Sequence, residues 1–106
     1  DGIKIKNNGI DISTTAGSPA RAVLGGTVSS IVTIANNNMA VIIRHGEFFT
    51  VYSNLGSVSV SKNQSISTKQ SIGTIYTNSE EGKTELHFEV WQGKTICNPT
   101  EWLSKR

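Results

Sequence analysis

The chain has 106 residues, with 10 Lys and Arg against 8 Asp and Glu, so its formal net charge is only +2. This length suits one domain, and so weak a charge gives no electrostatic signal for nucleic acid or an anionic membrane. Hydrophobic residues make up 36% of the sequence, which is enough to bury a core and argues against intrinsic disorder. The longest apolar runs are far shorter than the roughly 20 residues that span a bilayer.

Strands are predicted along most of the chain because apolar residues alternate with polar ones. The alternation begins near the start, in two short segments that contain Ile3 and Ile10. The longer predicted strands are Gly26 to Ile34, Met39 to Arg44, Phe48 to Asn54, Ser71 to Tyr76 and Thr84 to Trp91. Asn and Gly residues between most of these segments favour tight turns. The sequence therefore predicts an all-β fold, an antiparallel β sandwich or open barrel.

The end of the chain carries the one predicted helical turn. Asn98 is suited to cap it, Pro99 to occupy its first position, and Trp102 to pack it onto the sheet. Cys97 is the only cysteine, so no internal disulfide can form, and we expect it to pack as a small apolar side chain. Because the sequence has no initiator Met and no signal peptide, we expect residues 1–106 to be a single domain cut from a longer protein.

Five segments spread over nearly the whole chain share their order and spacing with a known family. They are Asn-Asn-Gly-Ile-Asp-Ile from Asn7, Val-Ile-Ile-Arg-His-Gly from Val41, Tyr-Ser-Asn-Leu from Tyr52, Gln-Ser-Ile-Gly from Gln70 and Glu-Leu-His-Phe-Glu-Val from Glu85. In these segments the sequence resembles the LytM/lysostaphin-type domain, best known from zinc peptidases that cut peptidoglycan cross-links. The resemblance implies the LytM type of β fold, which is that of the duplicated hybrid motif.

The resemblance also implies where a zinc site would lie. Active members hold zinc with both residues of a His-x-x-x-Asp motif and the second His of a His-x-His motif. The first His of His-x-His and a His after a Tyr-x pair assist catalysis. Here Asp11 and His87 match two zinc ligands, whereas Asn7 stands at the position of the third. Glu85 and Asn54 stand at the positions of the two catalytic histidines.

These replacements predict that the metal site is lost. A catalytic zinc needs three protein ligands, and the neutral carboxamide of Asn7 is a poor substitute for an imidazole. We therefore expect no bound zinc and no catalysis. One route to a metal site stays open, because Glu85 lies two residues from His87 on a predicted strand and projects from the same face. It could serve as an oxygen ligand together with Asp11.

Among LytM-like domains with decayed metal sites, the sequence is most similar to EnvC-type murein hydrolase activators. That similarity implies a non-catalytic domain at the C-terminus of an exported, periplasmic protein. Such a domain binds and switches on an N-acetylmuramoyl-L-alanine amidase during cell division, without a cofactor and without nucleic acid. Two alternatives stay open: a zinc endopeptidase with an altered site that acts on peptidoglycan cross-links, and a structural module that binds peptidoglycan or a protein without activating it.

A partner-binding groove is predicted from strand alternation and family position. Its expected members are Asp11, Tyr52, Asn54, Glu85, His87 and Trp91. Trp91 and Tyr52 are the expected aromatic anchors, although Trp91 could instead cover a core edge, and the carboxylates are expected to meet basic side chains. Glu80 and Glu81 are expected to be solvated or to border the groove. We expect His45, which precedes a glycine turn, to bond to the backbone rather than to a metal.

Overall fold

The computed structural model describes residues 3–6, 9–35, 38–93 and 95–97, and within these ranges every regular element is a β-strand. In chain order the strands are β1 (Ile3–Lys6), β2 (Gly9–Thr14), β3 (Pro19–Arg21), β4 (Gly26–Ala35), β5 (Asn38–His45), β6 (Phe48–Val58), β7 (Ser65–Ile66), β8 (Ser71–Ile75), β9 (Thr77–Asn78), β10 (Lys83–Gln92) and β11 (Thr95–Cys97). In the described ranges, no helix is both long and apolar enough to cross a membrane. The predicted helical turn of Asn98, Pro99 and Trp102 lies outside the described residues.

All strand pairs are antiparallel, and the main path of the sheet runs in the order β1-β2-β10-β6-β5-β4-β7. Strands β9 and β11 pair with β10, and β3 pairs with β8, which in turn pairs with β6. The prediction of an all-β antiparallel fold is therefore confirmed. The five longer predicted strands are present as β4, β5, β6, β8 and β10, whereas the sequence patterns did not single out the short strands β3, β9 and β11.

Strand β6 links the main path of the sheet to β8. Its first half pairs with β5 and β10, and its second half pairs with β8. The register of the β6–β8 pair shifts between Leu55 and Ser57, and such an irregularity bends and twists a strand locally. Side chains of β3, β7 and β8 share one core with those of the central strands, so these three strands cover one side of them.

The core fills the space under these covering strands. It contains Ala20, Ile66, Ile72 and Ile75 from β3, β7 and β8, and Ile10, Val28, Val41, Ile43, Tyr52, Leu55, Leu86, Phe88 and Val90 from the central strands. The ring of Tyr52 contacts that of Phe88 with centroids 5.3 Å apart. Cys97 packs against the edge of this core, as expected for a small apolar side chain.

The central strands β2, β6 and β10 thus have two different faces. Strand β10 alternates strictly, with Leu86, Phe88 and Val90 buried and the residues between them half-buried. We call the side that carries Phe88 the covered face. We call the other side, which carries Asp11 of β2, Phe49, Val51 and Ser53 of β6, and Glu85, His87, Glu89 and Trp91 of β10, the open face.

Candidate docking site on the open face

Three polar contacts link four side chains across the open face. Strands β2 and β10 place Asp11 directly opposite His87, and Asp11 Oδ1 lies 2.6 Å from His87 Nδ1. The other ring nitrogen, Nε2, lies 2.7 Å from Oε2 of Glu89. The indole N–H of Trp91 donates to Oε1 of the same Glu89 over 2.7 Å. Glu89 therefore holds the histidine and the tryptophan in fixed orientations.

The charge state of His87 follows from its two carboxylate partners. Desolvation by partial burial lowers its pKa, but the hydrogen bonds to Asp11 and Glu89 and the attraction of their negative charges outweigh that effect. The net result is a pKa raised above the ordinary value of 6.5. The imidazolium form donates one hydrogen bond to each carboxylate, so it is the form that this site favours.

Asn54 and Glu85 lie beside these linked side chains and are hydrogen-bonded to each other. Asn54 adopts a left-handed backbone conformation with φ 67°, a conformation that Asn tolerates better than most residues. Its Nδ2 donates to the main-chain carbonyl of Glu85, and its Oδ1 accepts from Nδ2 of Asn38 over 2.7 Å. The carboxylate of Glu85 accepts from the hydroxyl of Ser13 on β2 over 3.3 Å.

The described part of this site includes two side chains of types that hold zinc, those of Asp11 and His87. Among the described residues, no three His, Cys, Asp or Glu side chains are grouped so as to hold a metal ion. Asp11 and His87 adjoin each other, and Glu89 orients the histidine as a carboxylate often does beside a metal ligand. A catalytic zinc needs a third protein ligand, and Asn7, at the family position for it, lies outside the described residues.

An apolar pocket of about 280 Å³ adjoins Trp91 on the open face. Its lining consists of Ser29, Ile42, Phe49, Val51, Trp91 and Gly93. The register of β6 and β10 sets Phe49 opposite Trp91 and Val51 opposite Glu89. Trp91 is half-buried, so it contributes a wall to this pocket while keeping part of its ring accessible.

The expectation that Tyr52 lines the groove is wrong, because it belongs to the covered face. Its side chain is 0% exposed, and its hydroxyl oxygen accepts a hydrogen bond from the backbone N–H of Val23 over 2.9 Å. Simple alternation would put Tyr52 and Asn54 on the same face. The left-handed conformation of Asn54 interrupts that alternation, so Tyr52 and Leu55 both point into the core.

The remaining predicted residues are placed as follows. His45 Nδ1 lies 2.7 Å from the carbonyl oxygen of Gly25, which confirms the prediction of a backbone contact. Burial lowers the pKa of His45, and the bond to Gly25 opposes that effect without cancelling it. Glu80 and Glu81 are exposed, and their backbone N–H groups donate to the side-chain oxygen of Asn78.

Sequence reasoning did not single out several residues that shape the site. Glu89 was predicted only as part of the strand Thr84 to Trp91, although its position two residues before Trp91 and two after His87 was a usable signal. Phe49 and Val51 alternate with the buried Thr50 and could have been assigned to the open face. Asn38 had no signal, because its contact with Asn54 depends on the hairpin between β5 and β6.

Comparison with known proteins identifies the family. Residues 5–99 match the model of peptidase family M23, and the chain therefore belongs to that family. A putative peptidase M23 from Pseudomonas aeruginosa has a similar structure, with a TM-score of 0.83 at 20% identity over 95% of this chain and 46% of that one. At that identity the similarity shows the shared fold alone.

Two relatives are similar in sequence as well. An uncharacterized protein of Haemophilus influenzae is 28% identical over 101 residues, which are 94% of this chain and 25% of that protein. The uncharacterized lipoprotein YgeR of Escherichia coli is 28% identical over 99 residues, which are 92% of this chain and 39% of that protein. The chain thus spans less than half the length of either relative.

Proposed function

We propose that this chain is a non-catalytic M23 domain that binds a cell-wall amidase on its open face and activates it. The observation that carries the proposal is that Asn54 and Glu85 occupy the two positions where the family has catalytic histidines. The amide of Asn54 is hydrogen-bonded to Asn38 and to the backbone of Glu85. Neither an amide nor a carboxylate is suited to carry protons near neutral pH as a histidine is.

The open face has the composition of a docking surface. It combines a half-buried Trp with an adjoining apolar pocket and a flanking row of carboxylates. A Trp in a partly desolvated pocket is a frequent centre of interface binding energy. An amphipathic segment laid across the face would bury an apolar side chain against Trp91 and direct its basic side chains toward the carboxylates.

Activation would follow from selective binding. An amidase that exchanges between a blocked and an open conformation shifts toward the open one if the docking surface binds only that conformation. The domain then needs no chemistry of its own. Because YgeR is named a lipoprotein, and because the sequence resembles EnvC-type activators, we place this activity in the cell envelope during wall remodelling.

The test is dye release from labelled peptidoglycan by the chain alone, by a purified N-acetylmuramoyl-L-alanine amidase alone, and by their mixture. We expect release by the mixture to exceed the sum of the two separate reactions. Trp91→Ala should remove most of this gain, because losing one buried anchor costs about 2 kcal/mol or more, or roughly thirtyfold in affinity. Trp91→Phe, which keeps an aromatic ring, should retain an intermediate gain.

Leu24→Ala is the matched control. Leu24 is also a large apolar side chain, 43% exposed, but it lies in the turn between β3 and β4 and lines neither the apolar pocket nor the polar one described below. Its replacement should leave activation unchanged. Equal loss in Leu24→Ala and Trp91→Ala, or full activation by Trp91→Ala, would contradict docking on the open face. Amidase binding without any gain would favour a structural module.

A second candidate function is a zinc endopeptidase with an altered site. It is favoured by the retained contact of Asp11 with His87 and by the orientation of His87 by Glu89. The dye-release experiment separates the two functions, because a peptidase would release dye without amidase. Release by the chain alone, abolished by a chelator and by His87→Ala, would establish the peptidase and contradict the activator.

A further inference from the structure

A second, polar pocket of about 240 Å³ lies at the end of the open face that is remote from Trp91. Its walls combine carboxylates, carboxamides, a phenol ring and one ammonium group. They are formed by Asn38, Asn54, Tyr76, Asn78, Glu81, Lys83 and Glu85. With two carboxylates and one Lys, the lining carries a net charge of −1, opposite to the +2 of the whole chain.

The hydrogen bonds in this pocket fix the orientation of two amide groups. The main-chain carbonyl of Glu85 can only accept, so the atom of Asn54 that contacts it must be Nδ2. Oδ1 of Asn54 therefore faces Asn38 and accepts from its Nδ2. Both amide atoms of Asn54 and Nδ2 of Asn38 are thus used in these two hydrogen bonds, and Oδ1 of Asn38 takes part in neither.

Among the described residues, that oxygen has no hydrogen-bond partner although it is buried. A buried acceptor without a donor is costly and rare in native proteins. Rotating the amide to present Nδ2 instead would set two oxygens, those of Asn38 and Asn54, against each other. Because the unsatisfied oxygen belongs to a residue that lines a negatively charged pocket, it points to a missing donor rather than to a misplaced amide.

The opposite wall of the pocket is held in place before any ligand arrives. Strand β9 pairs with β10 at Thr77–Thr84 and Asn78–Lys83, and the hydroxyls of Thr77 and Thr84 lie 2.7 Å apart. The side chain of Asn78 also accepts from the backbone N–H of Glu81. A ligand that binds between such preformed walls loses less affinity to the ordering of the protein.

We propose that this pocket receives the guanidinium group of an arginine from the docking partner. A guanidinium has five N–H donors in one plane, so it can satisfy several acceptors at once, and it stacks on aromatic rings such as that of Tyr76. The carboxylates of Glu81 and Glu85 are the charged acceptors, and Oδ1 of Asn38, which is buried, becomes a further acceptor once its side chain shifts to expose it. A lysine ammonium is a compact, more strongly hydrated charge and fits this spread of acceptors less well.

The biological meaning of this inference rests on the proposed docking function, but the binding itself can be tested without an amidase. The probes are N-acetyl-arginine amide, N-acetyl-lysine amide and N-acetyl-norleucine amide, added to the isotope-labelled chain. Each is titrated to about 20 mM, which covers the millimolar affinity expected for one side chain. The readout is the NMR signals of the side-chain amides of Asn38, Asn54 and Asn78.

The arginine probe should shift the Asn38 and Asn54 signals in a saturable way, the lysine probe more weakly, and the norleucine probe not at all. Glu85→Gln should weaken binding of the arginine probe about tenfold, because a charge-assisted hydrogen bond is lost. Lys83→Ala, which removes the competing positive charge from the lining, should strengthen it about twofold.

Absence of saturable shifts at Asn38 and Asn54, or equal shifts with norleucine, would overturn the inference. Unchanged affinity in both Glu85→Gln and Glu81→Gln would overturn it as well. If the probe fails to bind while Trp91→Ala still impairs amidase activation, the arginine pocket is wrong and the proposed function stands. If the probe binds as expected but no amidase is activated, the pocket is supported and the proposed function is not.

Discussion

The two faces of strand β10 differ in what their side chains do, although they alternate along the same ten residues. On the covered face, Leu86, Phe88 and Val90 are buried in the core that β3, β7 and β8 also help to form. On the open face, His87, Glu89 and Trp91 bond to one another and to Asp11. The covered face supplies apolar burial and the open face a fixed polar and aromatic surface, so the two faces can be altered separately.

The largest effect is expected on the covered face, from Phe88→Ala. Phe88 is 0% exposed, and truncating such a ring should lower the free energy of unfolding by about 3–5 kcal/mol. Trp91→Ala on the open face should cost clearly less, because Trp91 is only half-buried. Denaturant unfolding of both variants measures the difference. Equal costs would show that Trp91 belongs to the core and would remove the distinction between the faces.

A smaller effect is expected from Tyr52→Phe. The change leaves the ring in the core but removes the oxygen that accepts from the backbone N–H of Val23. The unsatisfied buried donor should lower the free energy of unfolding by about 1–3 kcal/mol. Activation of the amidase, assayed where the variant is fully folded, should be unaffected. Loss of activation with unchanged stability would mean that Tyr52 contacts the partner from the open face and is not a core residue.

The smallest effect concerns the pH dependence that the half-buried His45 gives to stability. Because the pKa of His45 is lowered in the folded chain, the unfolded chain binds the proton more readily. The stabilisation from neutral His45 is therefore full above the unfolded pKa of about 6.5 and declines as pH falls from there toward the folded pKa. His45→Gln removes this dependence.

The measurement is the free energy of unfolding of the wild type and of His45→Gln at several pH values on both sides of the unfolded pKa. The difference between the two proteins should be greatest at the higher pH and should shrink as the pH falls. A difference that grows on acidification would mean that His45 is stabilised in its charged form, as His87 is on the open face.

The sequence predicted the long strands well, because alternation reports directly on which face a residue occupies. Alternation placed Glu85, His87 and Trp91 on one face, and the family position added Asp11 to them, as the structure does. It failed for Tyr52, because one left-handed residue, Asn54, breaks the alternation and no periodic pattern shows such a residue.

The details of the site depend on contacts between strands that are distant in sequence. The bond from Asn38 to Asn54 joins residues of two strands across the β5–β6 hairpin, and the short strand β9 exists because it pairs with β10. A two-residue strand has no periodicity to detect. The polar pocket at the end of the open face therefore became visible only with the fold.

The central claim is that the open face binds a partner instead of carrying out zinc chemistry, and the zinc content of the purified chain tests it most directly. Asn7→His, which restores an imidazole at the family position of the missing ligand, shows whether the assay can detect a repaired site and should bind more zinc than the wild type. For the wild type, dialysed against zinc and then against buffer, we predict zinc well below one ion per chain. One tightly held zinc per wild-type chain, lost in His87→Ala, would contradict the account.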